Sequence, residues 1–505
     1  MARRHDLDWL RVIAVFLLLP FHSARVFDPF EDFYVHSAET SEALFWSVIA
    51  FIATWQMELL FVLAGAASWY AFGRRDAHQY RIERVKRLLV PFLFGLVVIV
   101  PIQSYLAIAW RGGGASIAAF TTDYWTMQGE IGGYDGGFTP GHLWFILYLF
   151  LYSMVAAPLF ARWRARTGPR RWARWYLVLM PLVMFLGDAV PYPEDGPQNL
   201  FYSFTLFVGG FLLASEPRLE AAIDGAWRWL APAAGAMVAA DLWLGVSGTG
   251  DRLDTGAMSV VLDLWTPTVT WVSVLALLAL GKRFLSFDTA FLRWGNEAAY
   301  PIYLLHQSVI IVVAYAVLTA FTLPALPGFV LVTAGSLLAT VALYETVVKR
   351  TNVTRFLFGM KAAECARAER TPRARSGGVG GRPAEPGPPL PHRRVSTLHD
   401  GREEGGGTMS TITDPTTHDE GSDLRSQAIA SLERKREFWA HLATYVLVNG
   451  GLVVIWAMTG SGFFWPVFPI LGWGIGLFFH GWETFAREPK EERIRHEMDR
   501  LQHAR

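Results

Sequence analysis

Ten apolar stretches fill most of residues 9–348 of this chain: 9–27, 44–72, 88–110, 142–161, 175–190, 200–215, 229–246, 258–280, 296–321 and 329–348. A helix that crosses a bilayer core needs about 20 such residues, and only helices or closed barrels pair their whole backbone there. The lengths suit helices. The fold class expected is therefore all-α integral membrane, a ten-helix transmembrane bundle, with Pro and Gly interrupting several members. Composition agrees: 52% of the residues are apolar and only 18% charged, against about 25% charged in soluble domains. Many of the 21 Trp stand at the ends of the apolar runs, where interfacial belts lie. The basic start, Met1 to His5, leads into an apolar run without a small-residue cleavage site, so it reads as a retained first helix.

Basic residues give the orientation. The loop after the second stretch holds Arg74, Arg75, Arg81, Arg84, Lys86 and Arg87, and the loop after the fourth holds Arg162, Arg164, Arg166, Arg170, Arg171 and Arg174. Arg218, Arg228, Lys282, Arg283 and Arg293 follow the sixth and eighth. The intervening loops hold only Arg111 and Arg252, and the first of them carries Asp28, Glu31, Asp32, Glu39 and Glu42. The positive-inside rule therefore places every second loop, and both ends of the bundle, in the cytoplasm. A net charge of +1 gives no global basic surface, which argues against nucleic acid as a partner. The single cysteine, Cys365, excludes a disulfide framework and a Cys-based metal cluster; no metal site is expected.

The domains expected are residues 1–361 for the ten-span bundle, 362–424 for a linker and 425–505 for a second membrane module. The linker composition, as in "GGVGGRPAEPGPPLPHRR", cannot bury a core. Within it, "GREEGGGTM" reads like a translated ribosome-binding site before Met409, which suggests that residues 409–505 descend from a fused downstream gene. A ribosome-binding motif in the nucleotide sequence checks this. Two further spans are expected at 441–459 and 464–482, flanked by an amphipathic helix and a charged tail at 486–505. The tail offers a surface for a second copy of the chain or another protein.

Ionisable residues inside apolar helices are costly and mark function. Asp8 and Arg11 stand three residues apart on one face of the first helix. His22 follows Arg11 by eleven residues, about three turns or 16 Å further along the same face. A snorkelling arginine and a polar-capped core histidine would explain either one alone; the set together points to a site. Arg81, Arg84 and Arg87 recur every three residues before the third span. They are either a plain positive-inside signal or an anion site for phosphates. His142 and Trp144 open the fourth span after a Gly-rich loop, where a belt role also accounts for Trp144. Glu297, Tyr300, Tyr303 and His306 form one stripe of the ninth span, with His306 near mid-bilayer. Glu58 lies within the second span and awaits an Arg or His partner.

Five motifs, "DWLRVIAVFLLLPFHSARVF", "LLFVLAGAASW", "YRIERVKRLLVPF", "GHLWFILYLFLYS" and "YPIYLLHQ", occur in the order found in a family. Through them residues 1–360 resemble the bacterial membrane O-acyltransferases called acyltransferase family three. "HSARVF" with "GHLWF" looks most like its glucan-modifying, succinylating branch. The resemblance implies an enzyme of the bacterial inner membrane that uses acyl-CoA (acetyl-CoA or succinyl-CoA) as co-substrate, binds no permanent cofactor, and acylates a glycan or lipid-linked saccharide. It implies acyl transfer at His22 with Arg11, and acyl-CoA binding at Arg81 and Arg84. His142 and His306 fall where the family has recurrent histidines. Glu58 departs from it, standing where relatives often carry Pro. The last module resembles small bacterial two-span membrane domains. The readings of other classes are a multi-span transporter, which broken helices and intramembrane charge also fit, and a non-catalytic scaffold. No inverted repeat is visible in the sequence to favour the transporter.

Overall fold

The computed structural model describes residues 3–113, 120, 123–126, 134, 136–165, 173–191 and 196–361, and single positions between 435 and 477. The chain divides into two compact units, Met1–Arg373 and Ala374–Arg505. The described residues are all helical apart from turns and loops.

In the first unit eight helices are long and apolar enough to cross a membrane: His5–Arg25, Glu42–Ala71, Ala77–Trp110, Gly141–Ala165, Trp227–Val246, Ala257–Phe284, Ala290–Ala320 and Ala325–Val348. They match eight of the ten apolar segments of the sequence. The sixth segment, Leu200–Ser215, continues into Pro217–Gly225 after a 94° bend and makes a ninth span only if the pair counts as one. The fifth, Ala173–Asp188, is 16 residues long and interrupted by Pro181. Ten crossings are thus more than length and composition alone establish among the described residues.

Two spans break inside the apolar zone. The first is helical over His5–Phe16 and Leu18–Arg25, with the break at Leu17 and Pro20 just beyond. Proline lacks the N–H that would reach back four residues. The second breaks at Thr54–Trp55 before the helix Gln56–Ala71 begins. Side chains from neighbouring spans take up the backbone groups at both breaks. Gln56 Nε2 donates to the Ala14 carbonyl at 2.6 Å, and Thr270 Oγ1 donates to the Thr54 carbonyl at 2.9 Å. Hydrocarbon offers no water for this task, so the broken helices depend on such partners.

Close backbone approach holds the second and sixth segments together. A Cβ at Gly65 would lie 1.9 Å from the Phe207 carbonyl oxygen, and one at Gly210 would lie 1.9 Å from that of Val62. Small residues are what allow such contact where lipid removes the hydrophobic drive for association.

The basic loops meet at one end. Arg4 bonds Glu220 at 2.6 Å, Lys282 pairs with Asp224 at 2.9 Å, and the Arg164 guanidinium lies 4.0 Å from the Trp69 ring centroid. The other end gathers the acidic first loop and its neighbours. Trp110 Nε1 donates to the His36 carbonyl at 3.1 Å, and Gly328 packs on the Phe27 ring. In the second unit the Tyr445 hydroxyl donates to the Ile470 carbonyl at 3.0 Å, a contact between the two expected spans there. The linker 362–424 and the tail 486–505 lie outside the described residues.

Candidate active site

Three histidines converge in the middle of the first unit. The His22 ring centroid is 5.2 Å from that of His306, and His142 is 5.1 Å from His306. The sequence places His142 at the outer mouth and His306 near mid-bilayer, yet the structure joins them. The fourth span opens inside the bundle with a tight turn, Gly141–Leu143, after Pro140. Gly141 takes φ +50° there, with the Tyr34 hydroxyl in the space of its absent Cβ. Tyr303 of the ninth span fastens this turn by donating its hydroxyl to the His142 carbonyl.

The hydrogen bonds fix the protonation of two of these rings. A carbonyl oxygen only accepts, so His142 carries its proton on Nε2, which donates to Leu304 at 3.0 Å. Its Nδ1 then accepts from Gln103 Nε2 at 3.0 Å. His306 Nδ1 donates to the Tyr303 carbonyl at 2.6 Å. Its Nε2 is left as a buried lone pair without a partner, and His22 Nδ1 is likewise buried and unpartnered. His142 and His306 are buried, whereas His22 is half-buried.

Nothing in the sequence alone marks Gln103. It is wholly buried, and besides His142 it donates to Ser308 Oγ at 2.7 Å and accepts from Gln307 Nε2 at 3.2 Å. Ser308 passes its own proton to the Ile99 carbonyl at 3.1 Å. A closed polar network therefore ties the third, fourth and ninth spans together around the histidines. Three adjacent polar residues, His306, Gln307 and Ser308, in an apolar helix were the available signal, but only His306 was read from it.

On the side of the acidic loop, His22 faces aromatic cover. Phe33 stacks on it at 6.2 Å, and Tyr134 lies 5.5 Å from Phe33. Arg25 braces this cover through Asp28, through Glu31 at 2.6 Å, and over the Tyr134 ring at 5.7 Å. Burial pushes the Tyr134 hydroxyl above the usual phenol range, with Arg25 opposing, so it stays a neutral donor.

The other candidates lie toward the basic end. Arg11 pairs with Asp8 at 3.5 Å, as their spacing leads one to expect. The charge of Arg84 is felt at Arg11 and at the Tyr300 hydroxyl, which places the three in one neighbourhood. Among the described residues no hydrogen bond joins Asp8 or Arg11 to His22, and the helix between them is broken. The Arg84 guanidinium covers the Tyr80 ring at 4.7 Å. Arg81 is exposed and bonds the Ala77 carbonyl at 3.3 Å. The Arg87 carbonyl and Tyr300 flank Gly359, which adopts φ +66°. The Tyr300 hydroxyl is buried without a partner. Glu297 leaves the stripe for an ion pair with Arg355 at 3.0 Å.

Trp144 is buried against Tyr148, Phe61 and Phe145 rather than set in an interfacial belt. Among the described residues Glu58 finds neither Arg nor His: it is buried near the start of the helix Gln56–Ala71, one carboxylate oxygen unpartnered. No group of three His, Cys, Asp or Glu among the described residues has metal-site geometry. The donor count agrees, since His142 spends both nitrogens and leaves the cluster short of the three or four ligands a zinc site takes.

Comparison with known proteins fits this arrangement. Residues 4–345 match the family of the acyltransferase domain. The chain belongs to that family. The acyltransferase is thus a membrane enzyme that transfers acyl groups to oxygen. Glucans biosynthesis protein C of Salmonella paratyphi B is 26% identical to it over 332 residues, which cover 60% of this chain and 82% of that protein. The Escherichia coli protein of the same name is 25% identical over 333 residues, covering 60% and 81%. Residues 426–503 match the 2TM domain family. No solved structure matches the acyltransferase.

Proposed function

We propose that the acyltransferase moves an acetyl or succinyl group from acetyl-CoA or succinyl-CoA, on the cytoplasmic side of a bacterial inner membrane, to a hydroxyl of an extracytoplasmic or lipid-linked glycan. The observation that carries this reading is the place of His22: a half-buried imidazole between a basic end and an aromatic cover braced by acidic residues. The ten apolar segments are read as ten crossings with both ends of the bundle in the cytoplasm, followed by the two-span module. The name of the relatives supports a glucan acceptor.

The donor's phosphates meet Arg84 and Arg11, with Arg81 and Arg87 further out. Tyr300 gives them a neutral donor beside Arg84. Asp8 holds Arg11 in place. At the centre His22 acts as general base. The acceptor oxygen attacks the thioester carbonyl while His22 takes its proton. The tetrahedral intermediate then collapses, the carbon–sulfur bond breaks, and the thiolate of CoA leaves with the proton from His22. His142 and Tyr303 build the wall behind the reacting groups.

Purified enzyme given acetyl-CoA or succinyl-CoA and a glucan should release free thiol and yield ester-bearing glucan by mass spectrometry. His22→Ala should slow both by roughly 10²- to 10⁴-fold, the range of general-base catalysis. A variant that acylates at the normal rate would sink the assignment. Movement of glycan across the membrane with no thiol released would favour a transporter instead.

A further inference from the structure

We propose that His306 is a positioning residue for His22. A small turn of either ring closes one N–H···N hydrogen bond between the two imidazoles, His22 Nδ1 donating and His306 Nε2 accepting, which leaves His22 Nε2 as the lone pair that meets the acceptor hydroxyl. The inference rests on the reading of His22 as the base.

Elimination carries it. Three rings offer six nitrogens, and the backbone and Gln103 engage three of them. His142 donates from Nε2 and accepts at Nδ1, so it has nothing to give its neighbours. His306 donates from Nδ1 to its own helix, so its remaining nitrogen is an acceptor. That nitrogen and His22 Nδ1 are the two buried ring nitrogens of the cluster without a partner. Leaving both unmade costs about 1–3 kcal/mol each, and one bond between them removes both costs.

Distance agrees. Two imidazoles joined by an N–H···N bond of about 3 Å, each nitrogen about 1.1 Å from its own centroid, have centroids roughly 5 Å apart. The separation between His22 and His306 is 5.2 Å, so the rings stand close enough for that bond, although the two nitrogens are not yet turned onto one another in this structure. No carboxylate is hydrogen-bonded to either ring among the described residues, so neutral His306 takes the place a carboxylate holds in a Ser-His-Asp triad. When His22 Nε2 accepts the hydroxyl proton, its Nδ1–H stays bonded to His306. The new cation then has a polar neighbour in an apolar interior that would otherwise oppose it. The ninth span thus sets the tautomer of the base on the first.

The test uses the full chain with nitrogen-15 histidine in lipid nanodiscs. The His22 resonances are those lost in His22→Ala. In the wild type, His22 should carry its proton on Nδ1. His306→Gln keeps an acceptor oxygen and should keep that tautomer. His306→Phe removes the acceptor and should move the proton toward Nε2. With acetyl-CoA and a glucan oligosaccharide, kcat should fall on the order of 10²-fold or more in His306→Phe and recover in part in His306→Gln. KM for acetyl-CoA should stay unchanged in both. A wild-type His22 protonated on Nε2, a tautomer indifferent to residue 306, or equal kcat losses in the two variants would each overturn the proposal. Absence of acyl transfer in the wild type, with a tautomer that still answers to residue 306, would refute the reaction and leave the pair standing.

Discussion

Gln103 shows how much a single neutral side chain can decide in this bundle. It holds His142 in one tautomer, ties Ser308 and Gln307 to the third span, and is wholly buried. Gln103→Leu keeps the approximate volume and strands three polar partners. Each stranded group costs about 1–3 kcal/mol, so the variant should melt markedly lower in a thermal shift assay and lose acyl transfer with it. Unchanged melting would mean the network is not closed as described. Arg84 belongs to a different part of the enzyme. Arg84→Ala should raise KM for acyl-CoA several-fold with kcat nearly unchanged, because the proposed contact with the donor's phosphates is one made equally in the ground and transition states. A fall in kcat with constant KM would place Arg84 at the reacting centre instead. His22 and His306 were legible as residues because an ionisable ring inside an apolar helix is conspicuous, and Arg84 because it recurs with Arg81 and Arg87 every three residues before the third span. Gln103 was not, because one amide in "VPIQSYLAIAW" resembles any tolerated polar residue until its partners, up to 205 positions away, are known.

Helices in this protein were legible by length and apolar content, but their interruptions were not. The break at Thr54–Trp55 has no Pro or Gly at it, and the sequence around it reads as an uninterrupted span. Its support is tertiary: Thr270 Oγ1 donates to the Thr54 carbonyl, and Gln56, just past the break, donates to the Ala14 carbonyl of the first span. The convergence of His142 on His306 is likewise tertiary, since it follows from the fourth span starting inside the bundle rather than at its mouth. Close packing was hidden for a similar reason. Gly65 and Gly210 look like ordinary glycines of apolar helices, yet each faces a backbone carbonyl 1.9 Å from where a Cβ would sit. Backbone cannot move aside as a side chain can, so Gly65→Val should force the second and sixth segments apart. Overpacking costs typically 1–3 kcal/mol and occasionally more, and a rigid backbone contact belongs at the upper end. The expected outcome is loss of monodisperse protein on size exclusion in detergent. Gly225→Val meets nothing within 4 Å and should behave as wild type, which separates the contact from a general intolerance of valine at glycine.

At the scale of the whole molecule the proposed reaction depends on sidedness. The contacts Arg4–Glu220, Lys282–Asp224 and Arg164–Trp69 draw the basic loops to one end. The acidic first loop and its aromatic residues close the other. His22 stands between, and the proposed reaction has donor and acceptor reach this one imidazole from opposite faces without crossing the bilayer themselves. The arrangement makes a prediction that neither a soluble-type enzyme with a single mouth nor a transporter shares. In sealed proteoliposomes sorted to one orientation, acyl-CoA presented to the basic face should be consumed only when glucan is present on the opposite face. Turnover with both substrates on the basic face, at a rate equal to that of the split arrangement, would show a single mouth and refute the two-sided site. A chain ending at residue 373 keeps every residue of this path, because the first compact unit closes there. It should therefore retain the split-substrate turnover, and any loss on truncation would assign the two-span module a part in the reaction that the first unit's own geometry does not call for.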